Sequence, residues 1–189
     1  MIYSQSVNFR DAAGSWQAID DSLVKTSLAP YSYQNNANRY SVYLPSDIGS
    51  APVRVQIGSN WLTFSLSGAT GGGRISGSVA DYANVLPGVS VVIDAQADGV
   101  EESLVLQSPL AGSDFTYNVR TSPGLKVEAR GGGLAIVDAS GRSVFSFAAP
   151  AMFDSSKAQP GRSSAIALTT ATASSGTTVT LKLPRVAGN

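Results

Sequence analysis

The segment from Leu125 to Phe147 constrains the fold of this chain more than any other stretch. It contains three short runs, LKVEA, LAIVD and SVFSF, in which apolar residues alternate with polar or small ones. This period of two is typical of β-strands that have one face in a core. The runs are separated by Gly131-Gly132-Gly133 and by Ala139-Ser140-Gly141, whose glycines accept the positive φ angles of tight turns. The segment therefore predicts a three-stranded β-meander.

Similar runs continue along the rest of the chain. RYSVYL, PVRVQI and WLTFSL lie between Asn38 and Leu66, SVVIDAQ and VEESLVL flank Asp98-Gly99, and DFTYNVRT precedes the meander. SAIALTT and TTVTLKL predict a last hairpin, and no long segment has helical spacing. The predicted fold class is all-β, with one or more antiparallel β-sandwiches built from consecutive hairpins and meanders and little or no helix.

The stretch GATGGGRISG, residues 68–77, has the most flexible composition in the chain. It predicts a boundary between a first β unit over residues 1–70 and a second over residues 71–189. The two are expected to pack closely or to form one continuous sandwich. The predicted core consists of Phe9, Trp16, Val55, Leu62, Phe64, Ile93, Leu104, Val127, Ile136, Phe145, Ile166 and Leu181.

The chain contains no histidine and no cysteine. The commonest general base, the commonest metal ligand and the thiol nucleophile are therefore missing. A serine nucleophile would need a lysine base, and Lys25, Lys126 and Lys157 belong to no recognisable constellation. We predict that the protein is not an enzyme, and we assign no catalytic, cofactor-binding or metal-binding residue and no cofactor.

The charge balance bears on partners and location. Thirteen basic residues match thirteen acidic ones, so the chain has no electrostatic footprint for nucleic acid or an anionic membrane. Only 14% of its residues are charged, against about 25% in average globular chains, and Ser, Thr, Gly and Ala fill the polar positions. No apolar run is long enough to span a membrane, and no secretion signal is recognisable at Met1. We predict a secreted or cell-surface location as part of a longer chain whose signal lies elsewhere, without membrane insertion.

Two clusters could bind a ligand. The first is a group of acidic residues around a predicted turn, which could offer oxygen ligands to calcium, although the spacing of a calcium loop is not matched; its members are Asp94, Asp98, Glu101 and Glu102. The second is a group of aromatic residues, since sugars stack on exposed rings; its members are Tyr31, Tyr33, Tyr40, Tyr43 and Trp61. Solvated acids and core packing of the rings are the alternatives. We name Tyr33, Tyr43 and Trp61 as candidate glycan-stacking residues.

Several ordered motifs carry a resemblance to a known family. They include Phe9-Arg10-Asp11 with Gly14 and Trp16, Leu86-Pro87-Gly88-Val89, Asp98-Gly99-Val100 with Glu101-Glu102, and Ile136-Val137-Asp138. In this order they resemble the N-terminal β-rich region of large secreted bacterial RHS/YD-repeat proteins, the wall-associated and polymorphic-toxin type that often also carries DNRLRE modules. The resemblance extends from about Val7 to Leu183, and Ser90 departs from it where the family tends to place an acidic residue.

This resemblance implies a non-catalytic structural or interaction module of a larger exported bacterial surface or RHS/YD-repeat protein. Its partners would be neighbouring domains of the parent polypeptide, and no site residue is carried over from the family. The alternative function is a carbohydrate-binding module for cell-wall glycan, which would use the exposed aromatic residues named above.

Overall fold

The strands follow the alternating runs of the sequence. A computed structural model describes residues 6–107, 114–152, 166–173 and 176–182. These residues form seventeen β-strands and no helix, and all the described strand pairings are antiparallel. The predicted all-β class is confirmed. Accordingly, the described part of the chain offers no helix of the length and apolarity needed to cross a bilayer.

By its internal contacts the chain divides into two compact units, Met1–Ser108 and Pro109–Asn189. The strands of the first unit are β1 (Asn8–Arg10), β2 (Trp16–Ala18), β3 (Asp20–Lys25), β4 (Tyr33–Ala37), β5 (Ser41–Leu44), β6 (Val53–Ile57), β7 (Asn60–Leu66), β8 (Gly73–Ser76), β9 (Val79–Leu86), β10 (Val89–Gln96) and β11 (Gly99–Leu106). The strands of the second unit are β12 (Asp114–Thr121), β13 (Lys126–Arg130), β14 (Gly133–Val137), β15 (Ser143–Phe147), β16 (Ala167–Ala173) and β17 (Gly176–Lys182).

The first unit is a β-sandwich with an additional β1–β2 hairpin. Five strands are neighbours in the order β7-β6-β5-β4-β3, and four more form the sheet β11-β10-β9-β8. Alternate residues of β10 are buried, as expected for a strand with one face in a core. The residues buried between the two sheets include Val42, Leu44, Val53, Leu62, Phe64, Ala80, Tyr82, Val91 and Ile93.

The glycine-rich stretch at residues 68–77 lies inside the first unit. It contains β8, which pairs with β9, so this stretch continues the sandwich and the division of the chain comes after Ser108. Gly73 is required for close packing: a Cβ atom at this position would lie 2.6 Å from the ring of Tyr82. The glycines of this stretch therefore serve the close approach of the backbone to the Tyr82 ring as well as the geometry of loops.

The second unit contains the predicted meander. Strands β13, β14 and β15 are neighbours in that order, and the two-residue turn at Gly131 and Gly132 has φ angles of 60° and 80°. Positive φ at both central residues is the requirement of a type I′ turn. Every residue of β14 is buried. The remaining strands are adjacent in the order β16-β17-β12, and the hairpin of β16 and β17 was also predicted.

The predicted core is partly confirmed. The buried members are Leu62, Phe64, Ile93, Ile136 and Phe145. The half-buried members are Phe9, Val55, Leu104, Val127, Ile166 and Leu181. The prediction for Trp16 is wrong, because this side chain is 64% exposed on the β1–β2 hairpin, where the guanidinium carbon of Arg10 lies 4.9 Å from its ring centroid.

Candidate functional site

Strand register brings two of the three candidate aromatic residues to one face of the β3–β7 sheet. Tyr43 pairs with Arg54 on the next strand, and Gln56, two residues along from Arg54, pairs with Trp61. Residues directly opposite in a sheet, and residues two apart on one strand, point to the same side. Tyr43, Arg54 and Trp61 therefore share the outer face of the sheet, away from the core of the sandwich.

The third candidate, Tyr33, lies on the other face. It pairs with Leu44, which is fully buried in the core and is the direct neighbour of Tyr43. The Lys25 ammonium donates a hydrogen bond of 3.0 Å to the Tyr33 hydroxyl and lies 4.2 Å from its ring centroid. Tyr33 thus contacts Lys25 of the neighbouring strand on this other face, and it does not form one platform with Tyr43 and Trp61.

Tyr31 takes the place of Tyr33 on the outer face. Its ring centroid lies 5.6 Å from that of Tyr43, with the planes tilted by 39°, which is within the range of favourable aromatic pairs. The guanidinium carbon of Arg54 lies 5.1 Å from the ring centroid of Trp61, a cation–π distance. We call Tyr31, Tyr43, Arg54 and Trp61 the aromatic strip; each of its side chains is half-buried.

Arg54 is the residue of the strip that sequence reasoning missed. It stands in the run PVRVQI, where a single arginine looks like an ordinary solvated residue. In the structure its Nη2 donates a hydrogen bond of 3.0 Å to Oε1 of Gln56, whose own Nε2 donates to the carbonyl oxygen of Gly58. Burial raises the pKa of the Tyr31 hydroxyl, and the positive charge of Arg54 acts in the opposite direction. The cation therefore lies within electrostatic reach of Tyr31 as well as against Trp61.

Two features of Arg54 are unusual. Its Nε atom is buried and has no hydrogen-bond partner in the described part of the chain, although buried polar groups are normally paired. The three ion pairs among the described residues all involve other cations. The strip thus holds a half-buried positive charge between aromatic rings, and the neutral Gln56 is the hydrogen-bonding side chain beside it.

The acidic residues considered for calcium do not converge. The four residues of this cluster are Asp94, Asp98, Glu101 and Glu102. Asp94 pairs with Glu101 on one face of the sheet, whereas Glu102 pairs with Ile93 on the opposite face. Ser78 donates a hydrogen bond of 2.7 Å to the Asp94 carboxylate. Within the described ranges, no group of three or more Asp, Glu, His or Cys side chains could hold a metal ion.

Comparison of the chain with models of protein families, with curated proteins and with solved structures finds no match.

Proposed function

We propose that this chain is a non-catalytic structural module, a rigid spacer within a larger exported polypeptide. The observation that carries this proposal is a set of side-chain hydrogen bonds, one buried and the others part-buried, that join the two sheets of the first unit to each other. Apolar packing is not directional, whereas a buried hydrogen bond fixes both the distance and the orientation of the groups that it joins. Such bonds suit a module whose task is to hold its neighbours in a fixed arrangement.

The first of these bonds is made by Tyr82 of β9. Its side chain is fully buried, and its hydroxyl donates a hydrogen bond of 2.7 Å to the carbonyl oxygen of Pro45, directly after β5. Pro45 is itself fully buried. Because water cannot replace either partner, the bond resists separation of the sheets at this point.

The second is made by Tyr40, which lies between β4 and β5 and is 4% exposed. The proton of its hydroxyl is shared between the carbonyl oxygens of Gln96, at 2.7 Å, and Gly99 at the turn of the opposite sheet. Next to it, the Asn38 amide donates to the carboxylate of Asp21 at 2.8 Å and to the carbonyl oxygen of Gln96 at 3.4 Å. Polar contacts thus join the two sheets at two separate places.

The proposal for the parent polypeptide is a bacterial surface or RHS/YD-repeat protein, supported by the ordered motifs and by the low content of charged residues. An antibody against the 189-residue chain tests it. We expect the antibody to label intact cells of the source organism and to detect a longer polypeptide. Detection only after cell lysis would contradict the exported location.

Mechanical unfolding of the purified chain, held by its two ends, tests the spacer function. We expect the first unit to open in one cooperative event that releases roughly 350 Å of chain, at about 3.6 Å per extended residue. The variants Tyr40→Phe and Tyr82→Phe should lower the force of that event, and Tyr43→Phe, which removes a hydroxyl from the outer face, should not. Gradual extension without a defined event would contradict a rigid spacer.

The aromatic strip favours a second function, carbohydrate binding. Tyr43 and Trp61 lie on one face of a sheet, a rigid support that fits the stacking of a sugar ring. A glycan array that includes cell-wall polysaccharides, probed with the chain and with Trp61→Ala, tests it. Trp16→Ala is the matched control, because Trp16 is exposed on the β1–β2 hairpin outside the strip. Specific binding that survives in Trp61→Ala would contradict a role for the strip.

A further inference from the structure

The charge of Arg54 distinguishes the aromatic strip from a purely apolar stacking surface. A half-buried guanidinium gives up part of its hydration, and the usual compensation is a carboxylate or phosphate that accepts bonds from its planar fork. Arg54 has no such acidic partner among the described residues. Its contacts there are with the amide oxygen of Gln56 and the ring of Trp61.

The surroundings of Arg54 also limit its movement. The ring of Trp61 lies on one side and the amide of Gln56 bonds to Nη2, so the guanidinium is already oriented before any ligand arrives. Less side-chain entropy is then lost on binding than for a freely moving surface arginine. Because residues paired on adjacent strands stand about 5 Å apart, Tyr43 lies beside Arg54 and extends the surface in the direction of β5.

We infer that the aromatic strip binds an anionic saccharide that carries uronic-acid carboxylates. The sugar carboxylate pairs with the Arg54 guanidinium, and the apolar face of a sugar ring stacks on Trp61 or Tyr43. This inference rests on the second candidate function, carbohydrate binding, and adds the chemical class of the ligand. It is independent of the spacer function.

Binding of three uronic-acid polymers, polygalacturonate, polymannuronate and hyaluronate, tests the inference. Each is compared with its carboxyl-reduced counterpart, which keeps the sugar rings and removes the charge. We expect at least one of the acidic polymers to bind, and its reduced counterpart to bind at least about tenfold more weakly. The affinity for the acidic polymer should fall as salt is raised from about 50 to about 500 mM, because screening weakens the ion pair.

Variants of the chain locate the site. Arg54→Gln should weaken binding about tenfold, and Arg54→Lys should retain part of the affinity, because lysine keeps the charge but loses the planar fork. Trp61→Ala, which removes the stacking ring, should also weaken binding about tenfold or more. Arg74→Gln is the matched control, since this exposed arginine belongs to β8 in the other sheet. Circular dichroism verifies that each variant is folded.

The outcomes distinguish carbohydrate binding by the aromatic strip from recognition of a carboxylate by Arg54. Equal binding of acidic and reduced polymers, lost in Trp61→Ala, would keep carbohydrate binding and overturn the role of the carboxylate. Equal loss in Arg54→Gln and Arg74→Gln would place the anion elsewhere and overturn the assignment of Arg54. No binding of any acidic polymer by the folded chain would overturn the inference, and binding of neutral glycans on the array would then decide the candidate function separately.

Discussion

The hydrogen bond from Tyr82 to Pro45 is the sharpest test of the argument for a rigid sandwich. Tyr82→Phe removes one oxygen atom and keeps the ring that fills the core. The carbonyl of Pro45, buried like Tyr82, loses this donor. A buried hydrogen bond contributes about 0.5–1.5 kcal/mol net, and leaving a buried polar group unpaired costs about 1–3 kcal/mol. We expect Tyr82→Phe to lower the free energy of unfolding of the first unit by about 1–3 kcal/mol.

Urea unfolding followed by tryptophan fluorescence measures this loss in the first unit alone. The chain has two tryptophans, Trp16 and Trp61, and both belong to that unit. With a urea slope of about 1–3 kcal/mol per M, the unfolding midpoint should fall by about 1 M at an unchanged slope.

Tyr43→Phe is the matched control for this experiment. It removes the same atom from a half-buried tyrosine on the outer face of the sheet, and we expect a change within about 0.5 kcal/mol, as for most surface substitutions. If Tyr82→Phe and Tyr43→Phe shift the midpoint equally, the buried bond does not hold the sheets together and the reasoning is refuted.

Two further predictions follow from the interior. Burial raises the pKa values of Tyr40 and Tyr82 above that of an unfolded tyrosine, so the unfolded chain loses these protons first. Above pH of about 10, stability should therefore decline with rising pH by up to about 1.4 kcal/mol per pH unit for each tyrosine. The variant that combines Tyr40→Phe and Tyr82→Phe should lose stability less steeply with pH, as measured by fluorescence-monitored unfolding. A pH dependence identical to that of the unchanged chain would contradict an origin in these two tyrosines. In the second unit, a Cβ at Gly133 would lie 2.1 Å from the carbonyl oxygen of Phe147. Gly133→Ala should therefore lower the free energy of unfolding, measured by circular dichroism, by more than about 2 kcal/mol. Gly99→Ala, where a Cβ meets open space, should change it by no more than about 1 kcal/mol.

The fold class was readable from the sequence because local patterns determine it. The meander from Leu125 to Phe147 combines alternating runs with glycines at the positions that need positive φ, and the structure places its strands and turns there. For Trp16 the same pattern gives a wrong prediction. A large apolar residue on an alternating strand predicts burial, but Trp16 lies on the two-stranded β1–β2 hairpin and its side chain is 64% exposed.

The candidate site was less predictable, because which side chains share a face depends on register, and a shift of one residue sends every side chain to the other side. Tyr33 and Tyr43 are both tyrosines on adjacent strands, yet the pairing of Tyr33 with Leu44 places them on opposite faces. The Asn35 side chain takes part in setting this arrangement: its Oδ1 accepts a hydrogen bond of 2.9 Å from the Val42 backbone and its Nδ2 donates one of 3.1 Å to the carbonyl of Tyr40.

This use of a buried side chain in place of a regular backbone ladder has no signature in the pattern of apolar residues. The pairing of β4 with β5 removes Tyr33 from the outer face, whereas the pairings of β5 with β6 and of β6 with β7 bring Arg54 next to Tyr43 and one diagonal step from Trp61. A lone arginine in a strand is ordinary in the sequence; it becomes a candidate anion-binding residue only when its neighbours on the sheet are known to be aromatic and uncharged. The chemistry of the site therefore follows from strand register, which is why the stacking residues could be named in part and the charged residue could not.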